Sequence, residues 1–377
     1  MHLGGLVMGL SKIRLGDYIE RSTANNSKLK YGEDLIAGVN NTGVFTKPKG
    51  STLGVNLKPY KIVQNGAFVY NPTRLNLGSI AYRTEGLCIV SHLYMIFYLT
   101  EEGKKIINPQ WLFMYFRRSE FQREVTFRNF GSQRPEFNFE DMSDIIVPLP
   151  PLDIQQRYVD VYNAMLANQQ SYERGLEDLK LTCDAYIDKL KQKRTLVEIG
   201  DFIQQINNKN IDNQKYRFAG LSMDNYFIDS IADDTELDFT KYKIVEPNEY
   251  GTVLMKVGRD ARLTIARNTS NERYLISPAY YTFRITGIMP EYFMACVNRP
   301  EFERRGWFSC DTSARGSLSW GEFMKLKIPN ATDEEQSIIS ELYKVQVIRI
   351  EINEKLKTQI KDLCPILIKG SIEEASR

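Results

Sequence analysis

The chain is 377 residues long, 42% hydrophobic and 11% aromatic, with 49 basic against 47 acidic side chains. That length exceeds the needs of one ordinary core and that composition excludes a disordered chain, so two or more folded domains are expected. A net charge of +2 neither requires nor excludes a polyanionic partner, and only local clustering can decide.

The opening stretch, "MHLGGLVMGLSKIRLGDYIE", is mildly apolar but has no basic leader, and no later run approaches the length of a membrane span. A cytoplasmic protein without a membrane anchor is the expectation. Cys88, Cys183, Cys296, Cys310 and Cys364 are odd in number and widely scattered, which fits a reduced setting.

Residues 1–150 begin with short runs rich in Val, Ile, Tyr and Phe, among them "AFVYN", "GSIAYR" and "LCIVSHLYMIFYL", broken by Gly, Asn and Pro. These read as strands and turns. "NPQWLFMYFRRSEFQREV" follows as a short helix with its proline near the first turn. An arginine-bearing loop, "GSQRPEF", leads to "VPLPPLDIQQRY" at 147 to 158, a proline hinge before a long helical pattern. From 151 to 194, Tyr162, Leu166, Gln169, Tyr172, Leu176, Leu179, Cys183, Tyr186 and Leu190 step by threes and fours with charges between them. One helix with a single apolar seam is predicted.

Residues 195–331 then repeat the plan of residues 1–150. "VEIGDFIQ" answers "IRLGDYIE" at an offset of 184, and "YKIV" returns at 182. "ISPAYYTF" answers "VSHLYMIF", and "IMPEYFMACVNRPEF" answers "INPQWLFMYFRRSEF". An offset of 181 aligns Arg134 with Arg315, Pro148 with Pro329 and Gln155 with Gln336. So many matches in one order point to duplication, and the long period makes each copy a domain. Residues 332–377 carry a second, less regular seam through Ile338, Leu342, Val345, Ile352, Leu356 and Leu363, with Pro365 expected at or near its end.

A helix of this length would rise roughly 60 Å, and neither could bury its seam alone. The expected fold is therefore α+β: two similar mixed α/β domains separated by a long antiparallel two-helix coiled-coil spacer, pseudo-two-fold symmetric.

Catalytic patterns are scarce. Only His2 and His92 are present, and no nucleophile elbow, phosphate loop or paired zinc spacing occurs. "LGGLVMG" does not follow a strand, and "YNPTR" lacks the second proline and the aromatic of the amino-methyltransferase motif. Asp229, Asp233, Asp234, Glu236 and Asp238 do not match a calcium loop.

Basic residues are more informative. Between Tyr115 and Pro135 five arginines face two glutamates, and between Met255 and Arg273 five cations face two acids. Guanidinium forks and carboxamides are the groups that grip phosphates and read base edges. Lys47, Lys49, Asn71, Arg74, Arg83, Gln133, Arg134, Arg259, Arg262, Arg267 and Arg315 are the candidate DNA contacts.

The variable domain, then "GSQRPEF", then "IIVPLPPLDIQQR" and a long helix, all repeated, resembles the specificity subunit of type I restriction-modification systems. The second hinge, "IPNATDEEQS", keeps only Pro329, Glu335 and Gln336 of that pattern. The resemblance implies a non-catalytic reader of double-stranded DNA whose two target recognition domains bind an asymmetric gapped site. Tyr162, Leu166, Leu176, Leu179, Leu190, Leu342, Ile352, Leu356 and Leu363 would form the spacer and its docking surface. It also implies methyltransferase subunits carrying S-adenosylmethionine and a restriction translocase using ATP and Mg as partners, with no cofactor in this chain. The alternatives are a recognition module of another DNA modification or defence complex, or a standalone DNA methyltransferase or nuclease.

Overall fold

The computed structural model describes residues 9–48, 50–128, 136–230, 238–255, 257–260, 262–311 and 316–377. The chain divides into two compact units, Met1–Ser171 with Glu354–Arg377, and Tyr172–Asn353. Each unit thus joins one β-rich copy to half of each long helix.

The first copy runs β1 (Ser11–Arg14), β2 (Ile19–Arg21), β3 (Gly38–Val39), β4 (Phe45–Thr46), β5 (Lys61–Val63), β6 (Phe68–Tyr70), β7 (Ile80–Tyr82), β8 (Cys88–Val90) and β9 (Met95–Leu99). Then come α1 (Glu101–Lys104), α2 (Pro109–Phe116), α3 (Ser119–Arg128), α4 (Phe139–Ser143), β10 (Ile146–Leu149) and the 42-residue α5 (Leu152–Lys193). Four strands form an antiparallel sheet in the order β2-β9-β6-β7. Phe68 and Phe97 stack at 5.0 Å on its inner face, and Phe116 of α2 meets Phe68 edge-on at 6.0 Å. Trp111, Leu112, Phe121 and Phe137 close this core.

The second copy runs β11 (Leu196–Glu198), β12 (Ile203–Ile206), β13 (Arg217–Leu221), β14 (Phe227–Asp229), β15 (Lys243–Val245), β16 (Tyr250–Val253), α6 (Val257–Asp260), β17 (Thr264–Arg267), β18 (Tyr274–Ile276) and β19 (Tyr281–Ile285). It continues through α7 (Pro290–Val297), α8 (Pro300–Phe308), α9 (Trp320–Met324), β20 (Lys327–Pro329) and the 43-residue α10 (Asp333–Ala375). Its main sheet has the matching order, β12-β19-β16-β17, and Tyr250 stacks on Phe283 at 5.1 Å as Phe68 does on Phe97. β5 and β8 form a two-stranded sheet in the first copy, whereas the equivalent β15 and β18 extend into a sheet of order β14-β13-β18-β15.

Small repeated devices explain why the matched residues recur. Gly16 and Gly200, from the two Gly-Asp-aromatic motifs, lie where a Cβ would come 2.7 Å from the Ser143 Cβ and 2.9 Å from the Met324 carbonyl oxygen. Lys61 and Lys243, from the two "YKIV" segments, donate to the carbonyls of Tyr94 and Tyr280, each at 2.6 Å. Burial holds both amines below the ordinary lysine range.

The proline hinge is a strand. β10 pairs antiparallel with β1, setting Pro148 opposite Lys12, and β20 pairs with β11, setting Pro329 opposite Leu196. Two-stranded edges tolerate a residue without an N–H. At the start of α5 the buried Gln155 accepts from the Asn108 N–H at 2.8 Å and donates to the carbonyls of Ile106 and Pro150 at 2.9 and 2.7 Å. Gln336 does likewise for α10, accepting from the Met289 N–H at 2.9 Å and donating to the Ala331 carbonyl at 3.0 Å. The second hinge therefore keeps its geometry despite its divergent sequence.

These glutamines fix helix register. Three, four and seven residues after Gln155 come Tyr158, Val159 and Tyr162, packed in the first core; the same steps from Gln336 give Ile339, Ser340 and Tyr343 on the inner face of α10. Helix pairing is antiparallel within each unit. In the first, Tyr158, Tyr162 and Leu166 of α5 share a core with Leu363, Cys364, Leu367 and Ile368 of α10, and Arg157 pairs with Glu374. In the second, the Arg349 guanidinium lies over the Tyr172 ring and Arg194 pairs with Glu335 at 2.9 Å.

Three expectations are corrected. The seam of α10 runs through Ile339 and Asn353, 0% and 4% exposed, and not through Ile338 and Val345, each 43% exposed, because Gln336 sets the phase. Pro365 does not end α10; the helix continues to Ala375. A proline inside a helix costs about 3 kcal/mol, offset here by burial of Leu367, Ile368 and Ser371 and by bonds from Trp111 Nε1 to Ser371 Oγ and from the Leu10 N–H to the Ala375 carbonyl, both 3.0 Å. Each aromatic helix is two helices, since α2 stops at Phe116 before α3, and Pro300 begins α8 as a new helix after α7.

Candidate nucleic-acid interface

In the first unit Lys47 is exposed just after β4, and Arg83 lies over the ring of Phe45 in that strand at 5.1 Å. The loop between β6 and β7 carries Asn71 and Arg74. Asn71 Oδ1 accepts from the N–H and hydroxyl of Thr73, a self-contained turn, while Arg74 is exposed. This loop is tied to the β3–β4 hairpin, because Ser79 Oγ donates to the Val39 carbonyl and Arg117 Nη1 donates to the carbonyls of Gly78 and Asn41. The Phe137 N–H donates to the Pro72 carbonyl at 3.0 Å. The chain that follows the arginine-bearing loop therefore returns beside Arg74. Lys49, Gln133, Arg134 and Arg315, and the side chain of Arg259, lie outside the described residues.

The second unit repeats that closure, with the Leu318 N–H donating to the Leu254 carbonyl at 2.9 Å and the Gly258 N–H to the Gly316 carbonyl at 2.7 Å. Its arginines are differently used. Arg262 pairs with Glu303 at 3.1 Å, and Arg267, only 16% exposed, is held by Glu291 at 2.8 Å and by Asn248 at 2.7 Å. Arg217 pairs with Asp229, Arg273 with Glu246 and Arg284 with Glu249, at 2.6, 2.8 and 2.7 Å. Arg299 is 8% exposed and bridges Asp184 and Asp188 on α5.

The arginine-rich stretch after Tyr115 is likewise engaged. Arg118 stacks on the Tyr115 ring at 3.8 Å, Arg123 pairs with Glu120 and Arg128 with Glu124. What composition missed is Lys28, Lys30 and Lys58, all exposed. The signal was present in the balance of charge: residues 21–100 carry nine lysines and arginines against three acids, whereas residues 205–286 carry eleven of each.

The nine predicted seam residues are all at least partly shielded. Tyr162 and Leu190 are buried, and Leu166, Leu176, Leu179, Leu342, Ile352, Leu356 and Leu363 are half-buried. Among the described residues no three His, Cys, Asp or Glu side chains gather as a metal site, and no helix is long and apolar enough to cross a membrane.

Residues 10–178 match the family model described as type I restriction modification DNA specificity domain. The fold is similar to that of the type I restriction-modification S subunit from M. genitalium, with a TM-score of 0.53, 11% identity, and coverage of 100% of this chain and 98% of that one. Weaker likenesses are to the HsdS subunit from Thermoanaerobacter tengcongensis, at a TM-score of 0.41, 16% identity and coverage of 97% and 96%, and to a chain from a type I R-M assembly structure, at 0.47, 15% and coverage of 98% of each. No curated protein sequence matches. The first hinge, the β2-β9-β6-β7 sheet and the first part of α5 all fall within the stretch that matches the type I restriction modification DNA specificity domain.

Proposed function

We propose that this chain is the non-catalytic DNA-reading subunit of a type I restriction-modification complex, recognising an asymmetric gapped site. The observation that carries this reading is the duplication: two copies of one β-fold, each joined through the same glutamine-anchored hinge to a long helix, with the specificity-domain match on the first. Two readers of similar fold and different surface suit two different half-sites. Long helices with few breaks suit a ruler between them.

Methyltransferase subunits carrying S-adenosylmethionine, and a translocase using ATP and Mg, would supply the chemistry as separate chains. The partial burial of the seam residues supports docking on the outer helix faces instead. α10 exposes Ile338, Val345, Ile348 and Ile350 there. Among the described residues, Arg74, Arg83 and Lys47 are the cationic candidate contacts with no carboxylate already in hand, and Arg262 could reach DNA only by giving up Glu303.

The test is a methylation map of DNA from cells expressing this chain with its modification subunits, against cells lacking it. A modified base in a new, asymmetric, gapped motif is the expected result. Absence of any chain-dependent motif overturns the proposal.

A further inference from the structure

Resting on that DNA-reading function, we propose that the two copies divide the labour of binding unequally: the first unit grips the phosphate backbone, and the second contributes little to salt-dependent affinity. Six side chains of the first unit carry the grip. Lys28, Lys30 and Lys58 are gathered by one strap. The Asn26 side chain closes on the backbone of Tyr31 through bonds of 2.9 and 3.1 Å, its N–H donates to the Tyr60 carbonyl at 2.8 Å, and Tyr31, Leu57 and Tyr60 share a small core with Ile36. From Ile36 the chain runs directly into β3, the β3–β4 hairpin and Lys47, with Arg83 over Phe45 and the Arg74 loop bonded to Val39. Among the described residues none of the six meets a carboxylate. The Nε of Arg83 is buried without a hydrogen-bond partner, and among the described residues its guanidinium contacts the Phe45 ring and pairs with no carboxylate.

The equivalent framework in the second unit carries different groups. Asn210 closes its loop as Asn26 does, bonding Gln214 at 2.9 and 3.0 Å, yet two and four residues on stand Asp212 and Gln214 in place of Lys28 and Lys30. Arg83 exchanges backbone bonds with Gly66 and Ala67; the residue doing so with Asn248 and Glu249 is Asn268, buried and bonded within its own loop. Among the described residues between Arg217 and Arg284, the exposed arginines Arg217, Arg262, Arg273 and Arg284 are each neutralised, by Asp229, Glu303, Glu246 and Glu249 in turn, which leaves Arg304 further along as an exposed arginine without an ion pair. A guanidinium already paired releases no counterions from DNA unless its carboxylate is displaced. A free lysine does so at once.

Each phosphate neutralised adds about 0.9 to the magnitude of the slope of log K against log salt. Replacing Lys28, Lys30, Lys47, Lys58, Arg74 and Arg83 together with Gln should reduce that slope by about 5, measured by fluorescence anisotropy of the full chain, with its modification subunits, on a labelled duplex over a KCl series. The matched variant neutralises three pairs in the second unit while preserving net charge, combining R217Q with D229N, R262Q with E303Q and R273Q with E246Q. Its slope should stay within about 1 of the wild type. A loss of about 3 in this second variant, or no loss in the first, overturns the division of labour while leaving DNA reading intact. Failure of the wild-type complex to show any salt-dependent binding overturns both. Circular dichroism of each variant separates loss of contact from loss of fold.

Discussion

The two copies keep the same backbone and spend their charges in opposite ways. Sheet order, the stacked aromatic pair, the lysine on a carbonyl and the glutamine at the hinge recur in both. Between Arg21 and Thr100, none of the described lysines or arginines pairs with a carboxylate, whereas five arginines do so between Arg217 and Arg284. Duplication thus preserved what the backbone needs and released what faces outward. A sheet tolerates exchange of surface charge at little cost, but not loss of a buried anchor.

The largest expected effect tests the shared core. Phe97→Ala and Phe283→Ala remove side chains with 0% exposure from equivalent stacks, and each should cost about 4 kcal/mol in urea unfolding of the full chain. Markedly unequal costs would break the equivalence of the two cores. Next come the hinge anchors. Gln155→Ala strands two carbonyls and an N–H and should cost about 3 kcal/mol, while Gln336→Ala strands one of each and should cost about 2 kcal/mol. A reversed order would show that the bonds are not what holds the helices in place.

A third pair exploits one position with two uses. Arg118 and Arg299 occupy matching places, but Arg118 stacks on Tyr115 and Arg299 bridges two aspartates of α5. Arg299→Met should destabilise by about 2 kcal/mol, discounted because Asp188 is half exposed, and Arg118→Met by about 0.5 kcal/mol. Equal losses in thermal unfolding would sink the claim that the second copy depends on its ion pairs.

The smallest effect is in acid. Lys191 holds the Glu301 carboxyl below its usual range; burial alone would raise Asp188 and Glu291, yet Arg299 and Arg267 outweigh it and hold both low. Among the described residues of the first unit only Glu101, beside Lys104, is lowered in this way. A depressed carboxyl contributes stability that is present above its unfolded pKa and is lost as pH falls through the folded one. The second unit should therefore weaken first as pH drops below about 4. Tryptophan fluorescence can separate them, since Trp111→Phe leaves Trp307 and Trp320 to report the second unit, and the converse double variant leaves Trp111. Coincident acid midpoints would remove the electrostatic distinction.

Much of this architecture was legible because duplication prints the same constraint twice. Gly16 with Gly200, Pro148 with Pro329 and Gln155 with Gln336 recur because backbone approach, an edge strand and a buried amide leave few substitutes. The phase of α10 was not legible from its apolar residues, since Ile338 and Ile339 are equally good seam candidates until Gln336 is fixed. Nor was the continuation past Pro365, which rests on contacts with Trp111 and Leu10, distant in the chain. For the site, local counts of arginine pointed to 115–135 and 255–273. Whether a cation is free depends on carboxylates brought in from elsewhere in the fold, such as Glu303 for Arg262 and Glu291 for Arg267.

The hydrogen bonds of the Gln155 and Gln336 side chains among the described residues all go to main-chain atoms. A joint that reads carbonyls and amides is indifferent to the side chains those residues carry, as Asn108 and Met289 at matching places already illustrate. Such a joint accepts a new head without being recut. The surface of either copy can drift, or be traded whole for another of the same backbone, while the helix beneath it keeps its phase.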